Sequence, residues 1–179
     1  MMGVFMKRIV ALFFSILTLV SLASCQKGDT RVFDYQDSLK SVSGIYSTNG
    51  REYEMTLYFN TSEDGKRYCR RVEYESPETV KGLSFTLEGA NITAEIEGVR
   101  IADSYFEADK VFAAARLFSL SENDIYELKT KKGNTHAKGK NEKELFEVIT
   151  DREGRPVRIF FETEESSAEF KIEKITNKD

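Results

Sequence analysis

Leu83-Ser84-Phe85-Thr86-Leu87-Glu88-Gly89-Ala90-Asn91-Ile92-Thr93-Ala94-Glu95-Ile96, residues 83–96, decides the fold. Leu83, Phe85 and Leu87 alternate with Ser84, Thr86 and Glu88, and Ile92, Ala94 and Ile96 alternate with Thr93 and Glu95. A period of two sends successive side chains to opposite faces, so each half reads as a half-buried strand. The connection Glu88-Gly89-Ala90-Asn91 is short and holds a glycine, which makes the pair a hairpin. Upstream, Tyr53, Met55, Leu57 and Phe59 alternate with Glu54, Thr56 and Tyr58, and Asp64-Gly65 joins that strand to one over residues 67–75. The first half is therefore an antiparallel meander.

The period changes over residues 104–120, where Ala108, Val111, Phe112, Ala115 and Phe118 recur at spacings of three and four. That is one face of a helix. Ser104 followed by Glu107 reads as its capping box. Strand patterns resume over residues 125–128, 144–149, 157–162 and 168–175, separated by Lys132-Gly133-Asn134, by residues 151–156 and by the polar residues 164–167. One helix cannot cover both faces of about eight strands. The fold class is thus mainly β (α+β): a curved antiparallel sheet forming a half-open β-barrel, with one helix packed on its concave face.

The N-terminus is of another kind. Lys7 and Arg8 precede an apolar run of 14 residues, 9–22. This is the layout of a secretory signal peptide, and the run is short of the roughly 18–20 residues that a membrane-spanning helix needs. Leu22-Ala23-Ser24-Cys25 ends the segment with two small residues before a cysteine, which resembles the lipobox of bacterial lipoproteins. Cleavage before Cys25 and lipidation of its thiol follow from that resemblance. Several acyl chains of the palmitate type, at about 0.8 kcal/mol per buried CH₂, anchor durably where one alone would not. An ordinary signal peptide with a chance cysteine is the competing reading, and Met6 is a second possible start. The expected location is the extracytoplasmic face of the cell membrane, or the outer membrane if the organism has one. Gln26 stands where an aspartate would resemble an inner-membrane retention signal.

Without its first 24 residues the chain carries a formal net charge of −6. A nucleic-acid partner wants a clustered basic excess and is not expected. Cys69 is the one thiol left after lipidation, so no intrachain disulfide forms and the thiol reads as an inert, partly buried group. His136 lies in a Lys/Gly/Asn-rich stretch, read as a solvated loop, where neither a histidine triad nor a zinc site can be assembled. Glu73, Glu75, Glu95 and Glu97 alternate with apolar residues and belong on outward faces. The cations Lys66, Arg67, Arg70, Arg71, Lys129, Lys131, Lys132, Lys138 and Lys140 meet anionic head groups or keep strand edges soluble, two roles the sequence does not separate. No enzyme, metal site or cofactor is expected, and nothing bears on oligomeric state.

The order of elements resembles the outer-membrane lipoprotein carriers, the LolA/LolB-like half-open barrels. Glu75-Ser76-Pro77-Glu78-Thr79-Val80-Lys81-Gly82-Leu83-Ser84-Phe85 is similar to their proline-turn connection, and Asp151-Arg152-Glu153-Gly154-Arg155-Pro156-Val157 to their late Asp/Gly/Pro hairpin. The division is then signal peptide 1–24, lipidated cysteine and tether 25–31, and LolA-like half-barrel domain 32–179. The resemblance implies a concave apolar sheet that holds a lipid or lipidated ligand. Met55, Leu57, Phe59, Leu83, Phe85, Ile92, Phe112, Phe118, Ile159 and Phe161 are the residues it would present to that ligand. The same ten could simply pack against one another and fill the barrel, as a sheet core requires with no ligand at all, leaving a non-enzymatic envelope interaction or structural domain.

Overall fold

Alternation written into each strand gives the sheet two chemically distinct faces, and the chain curls to bury one of them. The structure is a computed structural model that describes residues 30–103, 106–141, 144–163 and 166–177. One meander is made of β1 (Leu39–Thr48), β2 (Arg51–Thr61), β3 (Arg67–Ser76), β4 (Ser84–Glu88), β5 (Asn91–Ile96) and β6 (Val99–Asp103). The other is made of β7 (Ile125–Lys131), β8 (Asn134–Asn141), β9 (Glu144–Thr150), β10 (Pro156–Glu162) and β11 (Ser167–Asn177). Both belong to a single 11-stranded antiparallel sheet in the order β6-β5-β4-β3-β2-β1-β11-β10-β9-β8-β7. The seam between them is β1 against β11, with Val42 opposite Ile175 and Tyr46 opposite Phe170. Strands β6 and β7 are the outer edges, so the sheet curves without closing: the half-open barrel read from the sequence.

Eleven strands replace the expected eight or so. The three not foreseen, β1, β6 and β8, each abut a two-residue turn: Asn49-Gly50, Glu97-Gly98 and Lys132-Gly133. In all three turns both residues have positive φ, from 49° to 88°. Such turns match the right-handed twist of a hairpin, so each demands a strand on both sides. Residues 134–141 offer small or polar side chains where large apolar ones would announce a strand, in residues 39–48 Gly44 interrupts the inward Val42 and Tyr46, and residues 99–103 are too few to show a period. Ala137, fully buried, and Gly139, beneath the Phe146 ring, occupy the inner face of β8.

The continuous helix expected over residues 104–120 is not formed. A short helix α1 (Tyr35–Ser38) precedes β1, and among its described residues the crossover from β6 to β7 holds α2 (Ala108–Val111) and two 3₁₀ segments, Ala113–Phe118 and Glu122–Asp124. Phe112, Ala114, Ala115, Leu117, Phe118 and Leu120 are buried, while Ala113 is half-buried and Arg116 and Ser119 are exposed. One outward residue in three is the period of a 3₁₀ helix, and it turns more of this apolar run inward than an α-helical stripe would. Ala108 is exposed rather than part of that stripe. Glu107 takes the N-cap position in extended conformation without a side-chain cap, and Ser104 lies outside the described residues.

This crossover plugs the concave face. Phe118, fully buried, meets Phe59 of β2 at 5.7 Å and Phe170 of β11 at 5.3 Å, both edge-on. Such ring pairs contribute about 0.5–1.5 kcal/mol each beyond area burial. Val32, Phe33 and Tyr35 join the same core from below β1. One end of the barrel thus collects the N-terminal segment and the β2–β3, β4–β5, β7–β8 and β9–β10 turns. The opposite end carries the β1–β2 and β5–β6 turns.

Candidate ligand-facing surface

Eight of the ten residues singled out for a ligand, Met55, Leu57, Phe59, Ile92, Phe112, Phe118, Ile159 and Phe161, are buried in one contiguous core, with Phe85 half-buried against it. They touch one another and the plug. Leu83 is not brought to them: it lies just before β4, where its carbonyl accepts from Tyr74 N–H at 2.9 Å and its own N–H donates to Val80 at 3.0 Å. Its role is to close the loop that follows the cis Ser76-Pro77 peptide.

What stays open on the concave side is the β5–β6 wing. Pairing places Ala94 opposite Ile101 and Ile96 opposite Val99, so these residues share a face with the core residue Ile92. Ile96, Val99 and Ile101 are 37%, 60% and 55% exposed. Among the described residues the plug passes them by, and Phe106, edge-on to Phe85 at 5.6 Å, approaches this wing. Sequence reading missed Val99 and Ile101 because β6 is too short to show a period. The signal that could have found them is Glu97-Gly98, a hairpin turn that projects the pattern of β5 onto whatever follows.

Two clefts reach the concave side. One, of about 180 Å³, opens at the β1–β2 end between Tyr46, Leu117, Phe161 and the Arg116–Glu144 ion pair. The other, of about 440 Å³, opens at the opposite end between Val32, the inward threonines Thr130, Thr135 and Thr150, and the Asp151–Gly154 turn.

The remaining polar candidates find structural partners. Arg67 points inward, its guanidinium 5.4 Å above the Phe59 ring and donating to the Phe118 carbonyl, and burial pulls its pKa below the ordinary value. It is not a surface cation, because the plug's carbonyl needs a donor where no water reaches. His136 is corrected likewise. It lies on β8, half-buried, with Nδ1 3.0 Å from Glu147 Oε1 across the strand pair. Glu75 accepts from Thr56 Oγ1 at 2.8 Å, Glu73 pairs with Arg71 at 3.3 Å and Glu95 with Arg100 at 3.1 Å, while Glu97 stands in the β5–β6 turn. Cys69 is buried on β3 and its thiol is pushed up to about 12 by that burial, which leaves no thiolate to react. Among the described residues no group of three or more His, Cys, Asp and Glu could hold a metal ion.

Fold and surface together define a class: a half-open antiparallel barrel, plugged by its own crossover, with an apolar strip left uncovered at one edge. No family model matches the chain, and no curated protein matches it. Solved structures similar to it include the Mycobacterium tuberculosis lipoprotein LppX, at 12% identity over 83% of this chain and 94% of that one, TM-score 0.43. An uncharacterized conserved protein from Thermus thermophilus is 12% identical over 86% and 89% of the two chains, TM-score 0.48. A LolA superfamily protein from Nitrosomonas europaea is 10% identical over 83% and 92%, TM-score 0.38.

Proposed function

We propose that this protein is a membrane-anchored, extracytoplasmic lipoprotein without enzymatic activity that holds a lipid or lipidated ligand against the open concave wing of its barrel. The observation that supports this most is the exposed strip Ile96, Val99 and Ile101, on the same sheet face as the core. Apolar side chains left in water on a concave face are a standing source of binding energy, at about 25 cal/mol per Å² covered. An acyl chain needs little else. Binding of a fluorescent fatty-acid probe to the wild type, weakened at least about tenfold by Val99→Lys with Ile101→Lys at an unchanged urea midpoint, is the expected result. Both positions are more than half exposed, so the fold tolerates the charges. A wild type that takes up no probe would end this reading.

The packed core favours a second one. With eight of ten candidate residues buried against one another, the barrel is largely filled by its own side chains. The exposed strip would then meet another envelope component, and no lipid would co-purify with the protein.

Anchoring rests on Cys25, which lies outside the described residues. Cys25→Ser should leave unprocessed precursor and abolish acylation, read by intact mass and detergent phase partition. Normal maturation of the mutant, with aqueous partition of the wild type, would remove the anchor.

A further inference from the structure

The barrel has one end that the tether must face, and one corner of that end gathers exposed cations. Val32, 3% exposed, lines the 440 Å³ cleft beneath the β7–β8 and β9–β10 turns. Cys25 precedes it by seven residues, which span at most about 25 Å when fully extended. Strand β1 runs ten residues from this end to the other, about 33 Å. A tether of that length cannot pass along the barrel, so the molecule cannot stand on its opposite end. The turns around Val32 face the membrane.

At those turns Lys131, Lys132 and Arg152 are exposed, and none has an ion-pair partner among the described residues. Their acidic neighbours are already occupied. Arg155 holds Asp151 and Glu153, both at 2.9 Å, and Lys129 pairs with Glu127 further along β7. Gly133, at φ +88°, leaves room for the Arg152 guanidinium to lie across the β7–β8 turn, where any Cβ would meet it. The other acidic residues at this end are Glu63, Asp64, Glu88 and Asp103 on the far wing, where Asp64 is taken by Lys66 at 3.4 Å, and the exposed Asp34 and Asp37 on the N-terminal segment. In a mature chain of net charge −6, three uncommitted cations gather beside the tether.

We infer that this corner docks the barrel on an anionic lipid surface, with Lys131, Lys132 and Arg152 on lipid phosphates and the threonine-lined cleft turned toward the head groups. The inference rests on the lipid anchor for its geometry. It fixes the orientation of the proposed ligand strip, since Ile96 and Val99 flank the β5–β6 turn at the opposite end and so face away from the anchoring membrane.

The test uses the mature protein purified from membranes, with the mass of its N-terminus recorded first. Acylated protein is reconstituted into nanodiscs of phosphatidylcholine alone or with phosphatidylglycerol, and the acetylation of individual lysines is followed. Slower labelling of Lys131 and Lys132 in the anionic discs, restored by high salt, with Lys81 at the opposite end unchanged, is the expected outcome. Equal labelling in both discs overturns the docking while leaving the anchor intact. Should the mass show no acyl group, the anchor fails by itself, and co-sedimentation of that protein with the same lipids as vesicles still decides. The Lys131→Gln, Lys132→Gln, Arg152→Gln variant should then partition about a hundredfold more weakly, at about 1 kcal/mol per cation. Equal partition of variant and wild type overturns the docking.

Discussion

Phe118→Ala should destabilise the domain by about 3–5 kcal/mol, read as a fall in the urea midpoint at constant m-value. The ring is fully buried on the 3₁₀ segment and lies between Phe59 and Phe170, on strands from the two halves of the sheet. Removing it costs the transfer free energy of a benzyl group, two edge-on ring contacts and the cavity left behind. The loss should not be confined to the plug. The same residue's carbonyl receives the Arg67 guanidinium, which lies over Phe59, so a shift of the segment would strand a half-buried cation. For a domain with a stability of about 5–15 kcal/mol, the loss is about a fifth of the total or more. A loss below about 1 kcal/mol would show that the plug does not carry the core, and that a ligand could displace it without cost to the fold.

Large alternating side chains made most of this sheet legible in the sequence. Strands β2 to β5, β7 and β9 to β11 announce themselves by residues such as Leu57, Phe85, Ile92 and Ile159, whose spacing of two needs no structural context. Strand β8 does not, because close approach in a curved sheet selects the small inner residues Ala137 and Gly139, which carry no hydropathic signal, and in β1 Gly44 interrupts the inward Leu39, Val42 and Tyr46. The turns held the missing information: Asn49-Gly50, Glu97-Gly98 and Lys132-Gly133 each have a recognised strand on one side only. Residues 108–118 misled for a different reason. Spacings of three and four fit an α-helix as well as a 3₁₀ segment, and only the depth of burial on both sides of the run separates them. The candidate surface was legible in kind and not in place. Apolar alternation marks the face that is buried, whereas exposure at Val99 and Ile101 comes from the end of the plug, a tertiary fact. Arg67 and His136 likewise read as solvated because their partners, the Phe118 carbonyl and Glu147, lie 51 and 11 residues away.

Gly44→Ala should be nearly as damaging as the loss of Phe118, although it adds one methyl group to an otherwise unchanged chain. Gly44 lies on β1 at the seam that joins the two meanders, where the register with β11 shifts between Ser43 and Gly44. A Cβ there would fall on the Lys171 carbonyl oxygen, 2.8 Å from the Phe170 ring and 3.1 Å from the Ile172 Cα. Two of those three neighbours are backbone, so no rotamer change can make room. Strand β11 must back away, at about 1–3 kcal/mol for overpacking and roughly 0.5–1.5 kcal/mol for each ladder hydrogen bond that lengthens. The expected total is about 3 kcal/mol in urea unfolding. Hydrogen exchange should place the damage, with faster exchange in β1 and β11 and little change in β4 and β5. Gly50→Ala is the comparison: its φ of +72° strains any side chain, but nothing lies within 4 Å, so only about 1 kcal/mol should be lost. If the two variants unfolded at the same midpoint, the seam would be looser than the packing of Gly44 under Phe170 requires, and the two meanders would have to be treated as separately stable wings.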